Sequence, residues 1–545
     1  MFHKIGRVIV AATLGVMVAS PAFATNWVVA ESAHFKVYSD ASAKTAQAYA
    51  TRLEQYRYIL SGFYRISKED DETTPKLRVY FVNSFSDLRQ TWPKAADEVA
   101  GYYKSCTEGE AAVGISQQDV IRQTHDVKAQ DENTSQVVLF HEYAHDFMFQ
   151  HSALPYPHWF VEGFAEYYST TKMQDDQIIV GMALSWRVQT LTSPQAWTLD
   201  YADVLRDSWR PKDGRPPNPY AENAFYAQSW LLTHWVMSDP ERNKAFHAFI
   251  DAYRGGEDPV AAFEKAFGVK VKDLGRTLDT YFDHLNAQIY RIHDMPVPQV
   301  TVAALPASAS KLLLWDAADR ICPAPGDRAD LLTRIQAEAA KYPDDAFAED
   351  VLARAEMIIG DESQALGYLK ARVTAHPDDA EAQFMLGQTW YLMTVHKHIN
   401  EGETADSQMK AARTALGRSY QLDPLNAPDL YYYSLALAVP GEPPSDNMIA
   451  AAMEAQALAP SESEYDIRAA ALLIQRGRND EAKTMLVPIA SNPHTPQAAA
   501  WAANIIAVID RKGTKDEIEA ALRTPVKDSG PVPPAPKDGK AAPAK

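Results

Sequence analysis

At 545 residues the chain exceeds what one compact core supports, since domains run to roughly 100–200 residues, so several units are expected. Hydrophobic residues at 46% and charged residues at 23% are ordinary globular values and argue against disorder outside a tail. The formal charge of −18 argues against nucleic acid and anionic lipid as partners, because both demand a basic face.

Residues 1–24 read as a signal peptide. Lys4 and Arg7 precede an apolar run from Val8 to Val18, and Ala22-Phe23-Ala24 is a small-x-small cleavage site. The run is far shorter than the ~20 residues that span a bilayer. Every later apolar run is interrupted by charges, so no membrane span is expected after cleavage. The mature chain begins at Thr25 and, without Lys4 and Arg7, carries −20. Export to a bacterial periplasm or the medium follows. In that oxidising setting Cys106 and Cys322, the only cysteines, form either one bridge or two buried thiols.

The next region, 25–295, reads as α+β. "HFKVYS" alternates with period two, a long helix follows in "SAKTAQAYATRLEQYRYILSGFY", and "PKLRVYFVNS" and "EAAVGIS" are strand-like, giving a small mixed sheet. The "EAAVGIS" run is expected at the sheet edge, where an extended peptide could pair with it. Helices are predicted at 134–152, 158–170, 221–238, 241–253, 258–267 and 271–292.

Residues 296–310, rich in Pro, Ala and Ser, read as a linker. Beyond it, in 311–510, "YPDDA" at Tyr342 and "HPDDA" at His376 recur with a spacing of 34. Turn prolines at Pro424, Pro460 and Pro493 continue the series once an insertion at 396–408 is allowed. This region resembles tetratricopeptide repeats, with Ala353, Ala365, Gly387 and Ala412 as the small residues where paired helices touch. The resemblance implies an all-α solenoid able to bind a protein partner. Residues 511–545 end in a Pro/Ala/Lys tail read as disordered.

The chemistry concentrates in "FHEYAH", residues 140–145. On a helix, residues four apart share a face, so His141 and His145 can grip one ion, with Glu142 beside them. A zinc hydrolase needs a third protein ligand and a base. "HWFVEGFAEYY" follows after a proline turn and offers Glu162 and Glu166 on one face of a second helix. Together these motifs resemble the gluzincin metallopeptidases, in which H-E-x-x-H is followed by W-x-x-E-G-x-A; Trp159, Glu162, Gly163 and Ala165 match that pattern. Within that group the chain is most similar to the peptidase-MA-like exported proteins, and the resemblance covers about 25–290.

The resemblance implies a zinc peptidase in which His141, His145 and Glu162 bind Zn²⁺ and Glu142 is the general base. It places Glu166 behind His141 and assigns oxyanion stabilisation to a tyrosine on a later helix, here Tyr226, with Tyr220 and His234 as rivals. His151 and His158 flank the turn off ligand spacing and read as satisfied histidines. The substrate implied is a protein or peptide. Two other classes remain: a catalytically silent protein-binding scaffold, and a zinc amide hydrolase acting on a small molecule. No G-x-M-E-N run precedes the motif, which speaks against aminopeptidase action.

Overall fold

In the computed structural model the described residues are 27–68, 73–95, 101–115, 134–152, 156–174, 176–193, 197–211, 218–292, 294–490 and 496–523. The signal-peptide expectation and the tail from Thr524 lie outside them. The first region runs β1 (Val28–Glu31), β2 (Phe35–Ser39), α1 (Ala43–Tyr64), β3 (Leu77–Val82), α2 (Phe85–Thr91), β4 (Gly101–Cys106), β5 (Gly109–Ile115), α3 (Thr134–His151) and α4 (His158–Ser169). It continues β6 (Lys172–Gln174), β7 (Gln177–Val180), α5 (Ser185–Thr192), α6 (Tyr201–Arg206), α7 (Pro219–Met237), α8 (Pro240–Arg254), α9 (Pro259–Phe267), α10 (Val271–Phe282), β8 (Gln288–Arg291) and β9 (Thr301–Ala304).

Alternation in β1 and β2 buries every second residue, and the six strands order as β4-β5-β3-β2-β1-β9. β3 is parallel to both neighbours and nearly all apolar, as an inner strand covered on two faces must be. β5 lies between β4 and β3, so the expectation that it forms the edge is overturned; the edge is β4. "GYYKSC" mixes glycine, lysine and serine into its pattern, which hid it as a strand.

One face of the sheet packs on α1 and α3. Tyr56 stacks on Phe140 with centroids 3.9 Å apart, and Arg57 Nη1 donates to Tyr143 Oη at 2.9 Å. Gly101 is what lets the edge strand reach α3: a Cβ there would sit 2.4 Å from Val138 Cγ1. Ser42 caps α1 by accepting from Thr45 N–H.

The other face of the sheet is covered by α2 and by the first helix beyond the sheet, α11 (Ala309–Arg320), through Leu313, Leu314 and Ala317. Strand β9 lies inside the stretch expected to be a linker and pairs antiparallel with β1, so 296–310 completes the sheet instead of separating two units. The alternating "TVAA" supplied that strand, while its Pro and Ser flanks gave the linker signal. A second correction concerns 271–292: the helix ends at Phe282, and Gln288–Arg291 pairs with β7 in a small three-stranded sheet.

The rest is helical: α12 (Arg328–Ala339), α13 (Ala346–Ile359), α14 (Glu362–Ala375), α15 (Ala380–Val395), α16 (Ala405–Leu422), α17 (Ala427–Ala436), α18 (Asp446–Leu458), α19 (Ser463–Gln475), α20 (Asn479–Ala490), α21 (Pro496–Asp510) and α22 (Lys515–Leu522). From α11 to α22 these form six tetratricopeptide-like helix pairs. Ala353, Ala365 and Ala412 are buried, and a Cβ on Gly387 would meet Leu416 Cγ at 2.6 Å, so the small residues sit at helix contacts as the repeat pattern requires. The array extends past 510, a correction to the expected tail: α22, with a Thr514–Glu517 capping box, occupies its start. The expected insertion falls between α15 and α16.

The array is joined to the sheet by more than packing. Cys106 and Cys322 are disulfide-bonded. The β4–β5 turn enters the array: Glu108 accepts from Gln388 Nε2 at 2.8 Å on α15 and from Tyr432 Oη at 2.7 Å on α17, and Tyr465 Oη on α19 donates to the Thr107 carbonyl at 3.1 Å. These come from the first helix of three successive pairs, the side on which such solenoids form their concave surface.

Candidate metal centre

Helix α3 presents His141 and His145 one turn apart, and α4 crosses it to bring Glu162 between them. All twelve residues of α4 are buried, so Glu162 has little freedom to turn away. Gly163 permits the crossing with α7, because a Cβ would stand 2.0 Å from Thr233 Oγ1 and 2.5 Å from the Ser229 carbonyl. His141 Nε2 and His145 Nε2 are 3.1 Å apart, and they lie 3.6 and 3.5 Å from Glu162 Oε2. A tetrahedral zinc with ligands at about 2.0–2.1 Å needs donor separations of about 3.3–3.4 Å. The three donors therefore fit such an ion, and their chemistry, two imidazoles and a carboxylate, suits it. With side-chain exposures of 17% and 12%, both imidazoles are reachable from solvent.

The electrostatics favour a cation. Burial opposes charge on His141, yet Glu162, Glu166 and Glu142 outweigh it and push its pKa up to about 9. Burial likewise opposes charge on Glu162, but His145, His141 and His158 hold its carboxyl well below the usual range.

Glu142 Oε2 accepts the backbone N–H of Tyr103 at 2.9 Å, so the edge strand holds one oxygen of the expected base. Glu166 does stand behind His141, its Oε1 3.7 Å from Nδ1, too far for a hydrogen bond. That oxygen is bonded instead by Arg187 from α5, a residue with no motif to announce it. Glu166 Oε2, also buried, makes no hydrogen bond among the described residues.

His158 is a satisfied buried histidine, as its spacing implied, but it belongs to the site. Its Nδ1 bonds Asp207 Oδ1 at 2.9 Å and its Nε2 is 3.7 Å from Glu162 Oε1. His151 lies elsewhere, its ring 4.6 Å from that of Phe147.

Of the three oxyanion candidates, Tyr226 is the one whose phenol feels the charge of Glu162. Arg187 lies over its ring at 5.0 Å, and the charge of Glu162, with burial, holds its phenol well above the ordinary value. Tyr220 is 72% exposed at the start of α7. His234 is committed to the core, with Nδ1 2.6 Å from Tyr281 Oη and Nε2 2.9 Å from the Gly181 carbonyl.

No family model matches the chain, and no curated protein matches it. Among solved structures, a thermophilic TPR protein from Thermus thermophilus is similar over 33% of this chain and 90% of its own length, at 22% identity and a TM-score of 0.28. So loose a likeness adds nothing to what the helix pairs show by themselves. No helix among the described residues is long and apolar enough to cross a membrane.

Proposed function

We propose that the chain is an exported zinc-dependent peptidase of gluzincin type. The observation that carries this reading is the triangle of His141 Nε2, His145 Nε2 and Glu162 Oε2 at tetrahedral spacing, with Glu142 adjacent on the same helix. The N-terminal signal-like segment and the disulfide both fit an oxidising compartment.

His141, His145 and Glu162 are the residues that hold the ion. When bound, zinc polarises a carbonyl and acidifies water, the two tasks peptide hydrolysis requires. Glu142 takes the proton of the attacking water and passes it to the leaving amine, with one of its oxygens anchored by Tyr103 N–H. Tyr226 donates to the developing oxyanion, and Arg187, above its ring, adds positive potential there. His158, held by Asp207, packs its imidazole 3.7 Å from Glu162, and Arg187 fixes the Glu166 carboxylate that stands behind His141. An extended peptide substrate pairs with the outer edge of β4 beside Glu142, through positions other than the Tyr103 N–H that Glu142 holds.

The repeats take a different role from free recruitment. Their inner side is occupied by the chain's own β4–β5 turn, so the array braces the strand that touches Glu142, and a protein partner must use the remaining surface.

Untagged mature protein is expected to retain zinc, to cleave casein, and to stop when chelated. Glu142→Gln should keep the metal and lose about 10²–10⁴-fold in kcat. Undiminished cleavage by the zinc-loaded variant would defeat the proposal.

A further inference from the structure

We propose a second divalent-metal site, on the repeat array, formed by Asp361, Glu362 and His398, with His396 on the other oxygen of Glu362 at its rim. His396 is the C-cap of α15 and His398 follows it in the inserted loop, and both turn back onto the first residue of α14 in the preceding pair. His396 Nδ1 bonds Glu362 Oε1, and His398 Nδ1 bonds Glu362 Oε2 at 3.2 Å. Donor atoms of Asp361, Glu362 and His398 lie within 4.8 Å of one another.

Three features set this cluster apart from an ordinary surface ion pair. Glu362 keeps only 7% of its side chain exposed, so both its oxygens depend on what the loop offers them. A helix N-terminus favours a carboxylate, but it calls for no imidazole, and here two converge. The convergence also has a backbone cost: Lys397, between the two histidines, is left-handed at φ 64°, which reverses the chain so that both rings meet one carboxylate. The loop is then pinned by buried Gln408, which donates to the His398 carbonyl at 3.2 Å and accepts from Asn400 N–H at 2.8 Å.

The rings are 53% and 55% exposed, so an ion can enter from solvent. Asp361 gives Oδ1 to the cap of α14 through Ser363 N–H at 3.0 Å, leaving Oδ2 to offer. The His398 imidazole among the carboxylate donors favours an ion of the zinc class over calcium or magnesium, which take oxygen ligands. Bound there, the ion staples the inserted loop to the preceding helix pair.

The site stands independently of the catalytic reading, and one experiment separates them. Untagged full-length protein is dialysed against micromolar zinc and its metal content measured, alongside His396→Asn/His398→Asn and His141→Asn/His145→Asn. Wild type should hold two equivalents, and each double variant one. Zinc should raise the melting temperature of His141→Asn/His145→Asn, and addition of Glu362→Gln should abolish that rise. Unchanged stoichiometry in His396→Asn/His398→Asn would overturn the proposal whatever the catalytic pair does. Loss of metal by that variant alone would sustain it and remove the catalytic site.

Discussion

Tyr103 N–H, on the edge strand, donates to Glu142 Oε2 at 2.9 Å, so the expected base is positioned by backbone from another element. A hydrogen bond to a charged group contributes about 1.5–3 kcal/mol. Tyr103→Pro removes the N–H at an outward-facing edge position, where proline is tolerated. Peptidase kcat should fall at least about tenfold, while Tyr103→Phe, which keeps the N–H, should stay near wild type. Equal rates for both variants, with matched melting curves, would show that the anchor does not matter.

Gly163 carries a second expectation. Alanine there drives a methyl group into Thr233 and the Ser229 carbonyl, and the helix that yields is the one bearing Glu162. Gly163→Ala should weaken zinc affinity by about 10–100-fold, the range seen when groups that orient a ligand are lost. Adding Thr233→Ala should recover part of it, as read by competition with a zinc chelator.

The joint between sheet and repeats should be separable into covalent and polar parts. Cys106 and Cys322 are 216 residues apart, and cutting their bridge should lower stability by about 2–4 kcal/mol. Glu108→Ala strands Gln388 and Tyr432 in the interior at about 1–3 kcal/mol each. Combined in Cys106→Ser/Cys322→Ser/Glu108→Ala, the changes should expose the β4–β5 turn to limited proteolysis that wild type resists.

His234 sets a pH dependence. Burial, chiefly, lowers its pKa to about 4 from 6.5, so between those values the unfolded chain binds a proton that the folded chain refuses. This contribution to stability is full above about pH 6.5 and is lost as pH falls toward 4, amounting to about 3 kcal/mol. Denaturant melts of wild type and His234→Gln at pH 7 and pH 4.5 check it: the acid-induced loss should be smaller in the variant.

Much of this protein was legible along the chain because the relevant relations are short and periodic. His141 and His145 share a face by helical spacing, Glu162 follows within a helix whose glycine and alanine mark close packing, and the repeats announce themselves at 34 residues. What only the tertiary structure decided are contacts without a period. Arg187 meets Glu166 across 21 positions, and Tyr103 meets Glu142 across 39. Glu108 meets Gln388 and Tyr432 across 280 and 324. The edge strand, the strand hidden in the supposed linker and the filled repeat surface follow from the same cause: strand pairing and docking join segments whose local composition says nothing about their partners.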